Sequence, residues 1–168
     1  MDTTTTIGWG IAGTGRIART ILKDFAHVPG ARICAIASRS AARADAFADL
    51  VTQNLSCPRP DTHDSYVDMI TNPTVDVVYV ATPHPQHRPI ALAAIDAGKA
   101  VLVEKSFAAT AHAAAEIAEA ARAKRVFAME GMWTRFFACR YRDDRRRKQW
   151  RDRRADGYPG RFVRPARL

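Results

Sequence analysis

Cysteine is scarce in this 168-residue chain: Cys34, Cys57 and Cys139 are odd in number and form no CxxC pair or metal-ligand spacing. Neither a disulfide framework nor a zinc site has support, so the thiols read as buried or incidental. Long apolar runs are missing too. No stretch approaches the ~18 consecutive apolar residues that span a bilayer. The start, Met1-Asp2-Thr3-Thr4-Thr5-Thr6, lacks the basic residues and apolar run of a signal peptide. No membrane association and a cytoplasmic location are the expectation. Acidic residues are scarce at one end only: residues 138–168 hold 12 Lys/Arg against 4 Asp, residues 1–137 hold 14 against 13. The formal charge of +9 therefore describes the C-terminal stretch and says little about the rest.

What is present is an alternation of apolar runs and helix-like stretches. Strands are expected at Ile7–Ala12, 32–37, 75–81, 101–104 and 126–129. Helices are expected at 17–25, 41–51, 90–97 and Ala111–Lys124. Strands separated by helices of this length need right-handed crossovers, which build a parallel sheet covered on both faces. The expected fold is α/β, a Rossmann-type doubly wound parallel sheet. Segment 56–64 reads as a loop or a poor edge strand, because Pro58 and Pro60 interrupt it.

The sharpest motif joins the first strand to the first helix: Gly13-Thr14-Gly15-Arg16-Ile17-Ala18, a G-x-G-x-x-A run. Gly13 permits the tight turn, Gly15 lets the backbone approach a pyrophosphate, and Ala18 is small enough for close helix–strand packing. The helix N-terminus, with the backbone of Thr14, Arg16 and Ile17, presents free N–H groups and a positive dipole end to phosphates. Gly-rich turns occur in many folds; the setting inside a βαβ unit is what makes this one a dinucleotide fingerprint.

About 20 residues further on, an NAD site places Asp or Glu for the ribose hydroxyls. Here the sequence is Ser38-Arg39-Ser40-Ala41-Ala42-Arg43, with no carboxylate. Ser38 can donate a hydrogen bond, and Arg39 and Arg43 can offer guanidinium groups to a 2′-phosphate. NADP(H) is expected over NAD(H); the bland alternative makes both arginines solvated surface charges. Two later positions face the same crevice. Thr82-Pro83-His84-Pro85-Gln86-His87 follows the third predicted strand, and its two histidines lack the Cys or carboxylate cluster of a metal site. A loop lining the cofactor pocket is the better reading, with His87 alternatively a helix-capping group. Glu104-Lys105 ends the fourth predicted strand. Lys105 there either reaches a substrate oxygen or cofactor ribose, or snorkels to solvent while Glu104 caps the next element.

Taken together, 13–18, the 81–87 loop, Glu104-Lys105 and Met129-Glu130-Gly131-Met132-Trp133-Thr134-Arg135-Phe136 resemble the glucose–fructose oxidoreductase/inositol dehydrogenase (Gfo/Idh/MocA) family. Within it, the resemblance is to the dimeric dihydrodiol dehydrogenase and NADP-dependent D-xylose dehydrogenase branch, and it covers about residues 6–137. It implies an NADP(H)-linked oxidation of a sugar or diol hydroxyl. Lys105 then matches an active-site lysine that polarises the reacting oxygen, Trp133 and Arg135 belong to the substrate pocket, and His87 lies in the cofactor-lining loop. Members are homo-oligomers whose second, α+β domain carries the dimer surface and most of the substrate pocket.

This sequence departs from the family pattern twice. Ser106 replaces the proline of E-K-P. After Phe137 the family's second domain is not found; an Arg-rich stretch without amphipathic period follows instead. The expectation is a binding domain over 1–137 and an unstructured basic tail over 138–168. The tail would be an out-of-frame reading of a GC-rich gene, which the coding DNA would settle. Such a chain would bind cofactor with little or no turnover. A basic nucleic-acid arm is the rival reading, with Tyr141, Trp150, Tyr158 and Phe162 as stacking groups. Nucleic-acid binding is not the expected outcome, because a charge run is more often solvated and four aspartates dilute this one.

Overall fold

Among the described residues, six strands and five α-helices alternate. They are β1 (Ile7–Ala12), α1 (Arg16–Phe25), β2 (Ala31–Ala37), α2 (Ala41–Leu55), β3 (Asp61–His63), α3 (Tyr66–Thr71), β4 (Val77–Val80), α4 (His87–Asp96), β5 (Ala100–Val103), α5 (Ala111–Lys124) and β6 (Ala128–Glu130). The computed structural model describes residues 6–136. The expectations for the tail, its origin and its partners all lie outside the described residues. One compact unit ends at Gly131, and the described residues beyond it contain a 3-10 turn, Trp133–Phe136.

All strand pairings are parallel, in the order β3-β2-β1-β4-β5-β6. The order reverses between β1 and β4, which opens a crevice at the C-terminal ends of those two strands. Two apolar layers cover the sheet. Ile11, Ile33, Ile36 and Tyr79 pack with Ala18 and Leu22 of α1 and Phe47 and Val51 of α2. Val78, Val80, Val101 and Val103 pack on the other face with Met69, Ile95 and Ile117 of α3, α4 and α5. Each fully buried side chain of this size contributes about 1.5–3 kcal/mol.

β1 is pressed so closely against its neighbours that side chains have no room on one face. A Cβ on Gly8 would fall 1.9 Å from the Thr74 carbonyl oxygen. β2 accommodates β1 with a bulge: Trp9 pairs with Ile33 and Gly10 with Ala35, leaving Cys34 as the extra residue. Its buried thiol donates to the Thr74 carbonyl at 3.1 Å, and burial pushes its pKa up.

Several elements differ from the sequence reading. The 56–64 segment contains β3, a three-residue edge strand that starts directly after Pro60 and pairs only with β2. Proline can stand just ahead of such a strand because no ladder bond is asked of it. α3 was not expected; Ser65 starts it, its hydroxyl accepting from the Asp68 N–H at 3.3 Å. α4 begins three residues earlier than periodicity suggests, since Pro89 falls in its first turn, where amides lack intrahelical partners.

Candidate cofactor-binding site

The turn after β1 places backbone donors at the crevice. Gly13 has φ +101°, and a Cβ there would lie 2.8 Å from the Ala81 carbonyl oxygen, so only glycine passes this close to the end of β4. Its N–H donates to Ala37 at 2.9 Å, tying the turn to β2. Gly15 is the N-cap of α1, with extended backbone, no side-chain cap, and no acidic residue in the first turn. A Cβ at Gly15 would meet nothing within 4 Å. The space beside Gly15 is thus open and the first turn of α1 has no side-chain cap, while Ala18 in that turn is fully buried. An anion is the group that such a terminus accepts.

A second positive locus follows β2. Ser38 is buried, and its N–H donates to the His63 carbonyl at 3.1 Å. Arg39 and Arg43 are exposed, and neither has an ion-pair partner among the described residues. They stand at the N-terminal end of α2, whose N-cap Ser40 makes no side-chain cap and whose first turn holds no acid. Two guanidinium groups at the positive end of a helix are unfavourable unless an anion joins them.

The loop after β4 and the turn after β5 are fastened to each other. His87 opens α4 with its ring fully buried, one nitrogen 2.8 Å from the Thr82 carbonyl oxygen and the other 2.9 Å from that of Ser106. It therefore caps no helix amide. His84 Nε2 lies 3.3 Å from the Ser106 N–H, and the two imidazoles meet edge to face at 5.3 Å. Both histidines thus brace the turn that carries Lys105, whose peptide bond to Ser106 is cis. Among the described residues no three His, Cys, Asp or Glu side chains group to hold a metal ion.

Glu104 is buried and does not cap the following element. Its Oε1 accepts the Tyr79 hydroxyl at 2.7 Å, and its Oε2 accepts the Lys105 N–H at 3.2 Å. Burial, and then the bond to Glu104, push the Tyr79 phenol well above its ordinary pKa, so it remains a donor. The Lys105 side chain is exposed, and its ammonium has no partner among the described residues.

These pieces meet in a cleft of about 230 Å³ lined by Arg16, Ile17, Thr20, Thr82, His84, Glu104 and Lys105. The hydroxyl of Thr82 is buried there without a hydrogen-bond partner among the described residues. An orphaned hydroxyl, uncapped amides and open space at Gly15 together fit a polar, anionic ligand. Six of these seven residues were anticipated. Thr20 was missed, although its place one helical turn beyond Arg16 was a readable signal. Tyr79 was missed as well; its hydroxyl in an otherwise apolar strand was the clue. Ser38, Arg39 and Arg43 form the separate locus after β2, Pro83 leads into the turn His84–Gln86, and Trp133 and Arg135 lie in the 3-10 turn past Gly131.

A doubly wound sheet with an uncapped, Gly-rich strand-to-helix turn at its switch point defines a dinucleotide-binding domain. Comparison with known proteins agrees: residues 7–132 match the oxidoreductase family with an NAD-binding Rossmann fold. The chain belongs to that Gfo/Idh/MocA oxidoreductase family. It is 41% identical over 141 residues to D-xylose 1-dehydrogenase (NADP(+)) of Hypocrea jecorina, covering 79% of this chain and 35% of that protein. It is 38% identical over 131 residues to trans-1,2-dihydrobenzene-1,2-diol dehydrogenase of Mus musculus, covering 77% and 38%. The chain thus spans little more than a third of the curated relatives it matches. Among solved structures, KijD10, a 3-ketoreductase from Actinomadura kijaniata in complex with NADP and TDP-benzene, superposes with a TM-score of 0.74 at 27% identity, covering 86% of this chain and 43% of that one.

Proposed function

We propose that this chain is the NADP(H)-binding part of an oxidoreductase that moves a hydride between the nicotinamide and a hydroxyl-bearing carbon of a sugar or diol. The observation that carries the reading is the pair of uncompensated positive loci at the ends of β1 and β2. The first-turn amides of α1, with Arg16, would hold the pyrophosphate, and Arg39 and Arg43 the 2′-phosphate, with Ser38 donating beside them. The bound nicotinamide supplies the hydride acceptor or donor. Lys105, with an unpartnered ammonium at the cleft, would hold the substrate oxygen and stabilise charge developing on it. His84, His87 and the Thr82 backbone keep that lysine's turn in place. The substrate class rests on the two relatives, whose names specify D-xylose and a dihydrobenzene diol. Cofactor binding rather than turnover is the property assigned to this chain by itself.

Fluorescence titration of the chain with NADPH and with NADH tests the reading. Saturable binding of NADPH, with NADH weaker, is expected, and R39D should reduce the preference by about tenfold through loss of a charge-assisted contact. An unchanged preference in R39D would return Arg39 to the solvated surface. Failure of a folded chain to bind either nucleotide would refute the cofactor reading.

A further inference from the structure

The cleft carries charges of opposite sign at different places. Where α1 begins, uncapped amides and Arg16 call for an anion. On the β5 side, Glu104 adds a carboxylate that is only 9% exposed. A buried carboxylate in the wall of a dinucleotide site opposes binding wherever it faces phosphate, and favours it wherever it faces positive charge.

The carboxylate is also held firmly. The Tyr79 hydroxyl donates to Oε1 at 2.7 Å and the Lys105 N–H to Oε2 at 3.2 Å. Both partners are donors, so each carboxyl oxygen accepts one hydrogen bond from a fixed group. A Cβ on Gly131 would sit 3.4 Å from Oε1, so this oxygen is closely walled as well as bonded. Tyr79 itself is 1% exposed and touches no solvent that could replace Glu104 as its acceptor. Nothing in the phosphate-binding role of the cleft uses this pair.

We propose that Tyr79 and Glu104 form a charge-selecting pair: the Glu104 carboxylate, positioned by the Tyr79 hydroxyl, favours the oxidised, positively charged nicotinamide over the neutral reduced ring. The inference rests on the reading of the cleft as an NADP(H) site. The two redox forms share their riboses and phosphates and differ by one positive charge on the ring, so a residue that distinguishes them electrostatically must act at that end. Lys105 opposes the effect, but its exposed ammonium is screened by water far more than the buried carboxylate is. Glu104 is thus a specificity-determining residue for the redox form, and Tyr79 a positioning residue acting through it.

The test is the ratio of dissociation constants, Kd(NADP+) over Kd(NADPH), measured on the full chain by calorimetry or fluorescence. E104Q should raise the ratio about tenfold, by removing one buried charge at short range. E104D keeps the charge and should leave the ratio within about twofold even if both forms bind more weakly. Y79F should move it in the same direction as E104Q, by less. If E104Q weakens both forms equally, Glu104 is merely structural and the inference is overturned. If E104Q does not fold, Y79F decides: an unchanged ratio in a natively folded Y79F overturns it equally. Wild-type chain that binds neither form would bring down the cofactor reading and this inference together, whereas normal wild-type binding with an unmoved E104Q ratio removes only this one.

Discussion

Gly13 and Gly15 are glycine for different reasons, and alanine separates them. At Gly13 an added methyl would meet both a positive φ of +101° and the Ala81 carbonyl at 2.8 Å. G13A should therefore lose roughly 2 kcal/mol of stability in urea unfolding. At Gly15 the backbone is extended and the space is open. G15A should leave stability within about 0.5 kcal/mol of the parent while weakening NADPH binding, because the methyl enters the space facing the α1 amides. A G15A chain that binds NADPH like the parent would show that this space is not part of the site. At the residue scale, Gly13, Ala18 and Arg39 were singled out from the sequence by type and spacing, and Glu104 and Lys105 by position together with the family resemblance. Tyr79 was not, because its importance lies in a hydrogen bond to a residue 25 positions away.

At the scale of elements, stability lies in caps and staples that sequence periodicity does not display. Thr110 caps α5, its hydroxyl accepting from the Ala113 N–H at 3.1 Å. T110A should cost about 1 kcal/mol in chemical denaturation. α4 and α5 are joined by Arg88, whose Nη2 donates to Glu116 Oε1 at 2.8 Å. That hydrogen bond, and then the charge of Arg88, hold the Glu116 carboxyl below its ordinary pKa. Since the folded value is the lower one, the contribution is complete above the ordinary carboxylate range and fades as pH falls through the lowered value. R88A should thus be slightly less stable than the parent at pH 7, and the gap should close on acidification. The effect is small because the pair is exposed to water. A gap that persists at acid pH would assign the loss to packing of the arginine stem. β3 and α3 belong to the same scale. Pro58 and Pro60 obscured the edge strand, and the six residues of α3 are too few for periodicity to show; only the Ser65 cap betrays its start.

For the whole molecule, the prediction concerns linkage between binding and folding. If residues up to Gly131 carry the dinucleotide site, saturating NADPH stabilises that unit by mass action. At 100 times Kd the gain is about 2.7 kcal/mol, which for a domain of this size raises Tm by about 5–10 °C. NADH at the same concentration should raise it less, and the absence of any shift with NADPH would contradict the assignment. The sequence by itself determined the alternation of strand and helix, hence a parallel sheet covered on both faces, because period and β-branching are local properties. It also determined the Gly-rich turn and the basic residues after β2, since these depend on residue type at fixed spacing. Only the tertiary structure decided that β4 lies beside β1, so that Thr82, Glu104 and Lys105 meet the start of α1 in one cleft, that His84 and His87 brace the lysine's turn, and that Tyr79 holds Glu104. Those are contacts between segments far apart in the chain, and their geometry follows from strand order and packing, which no local pattern encodes.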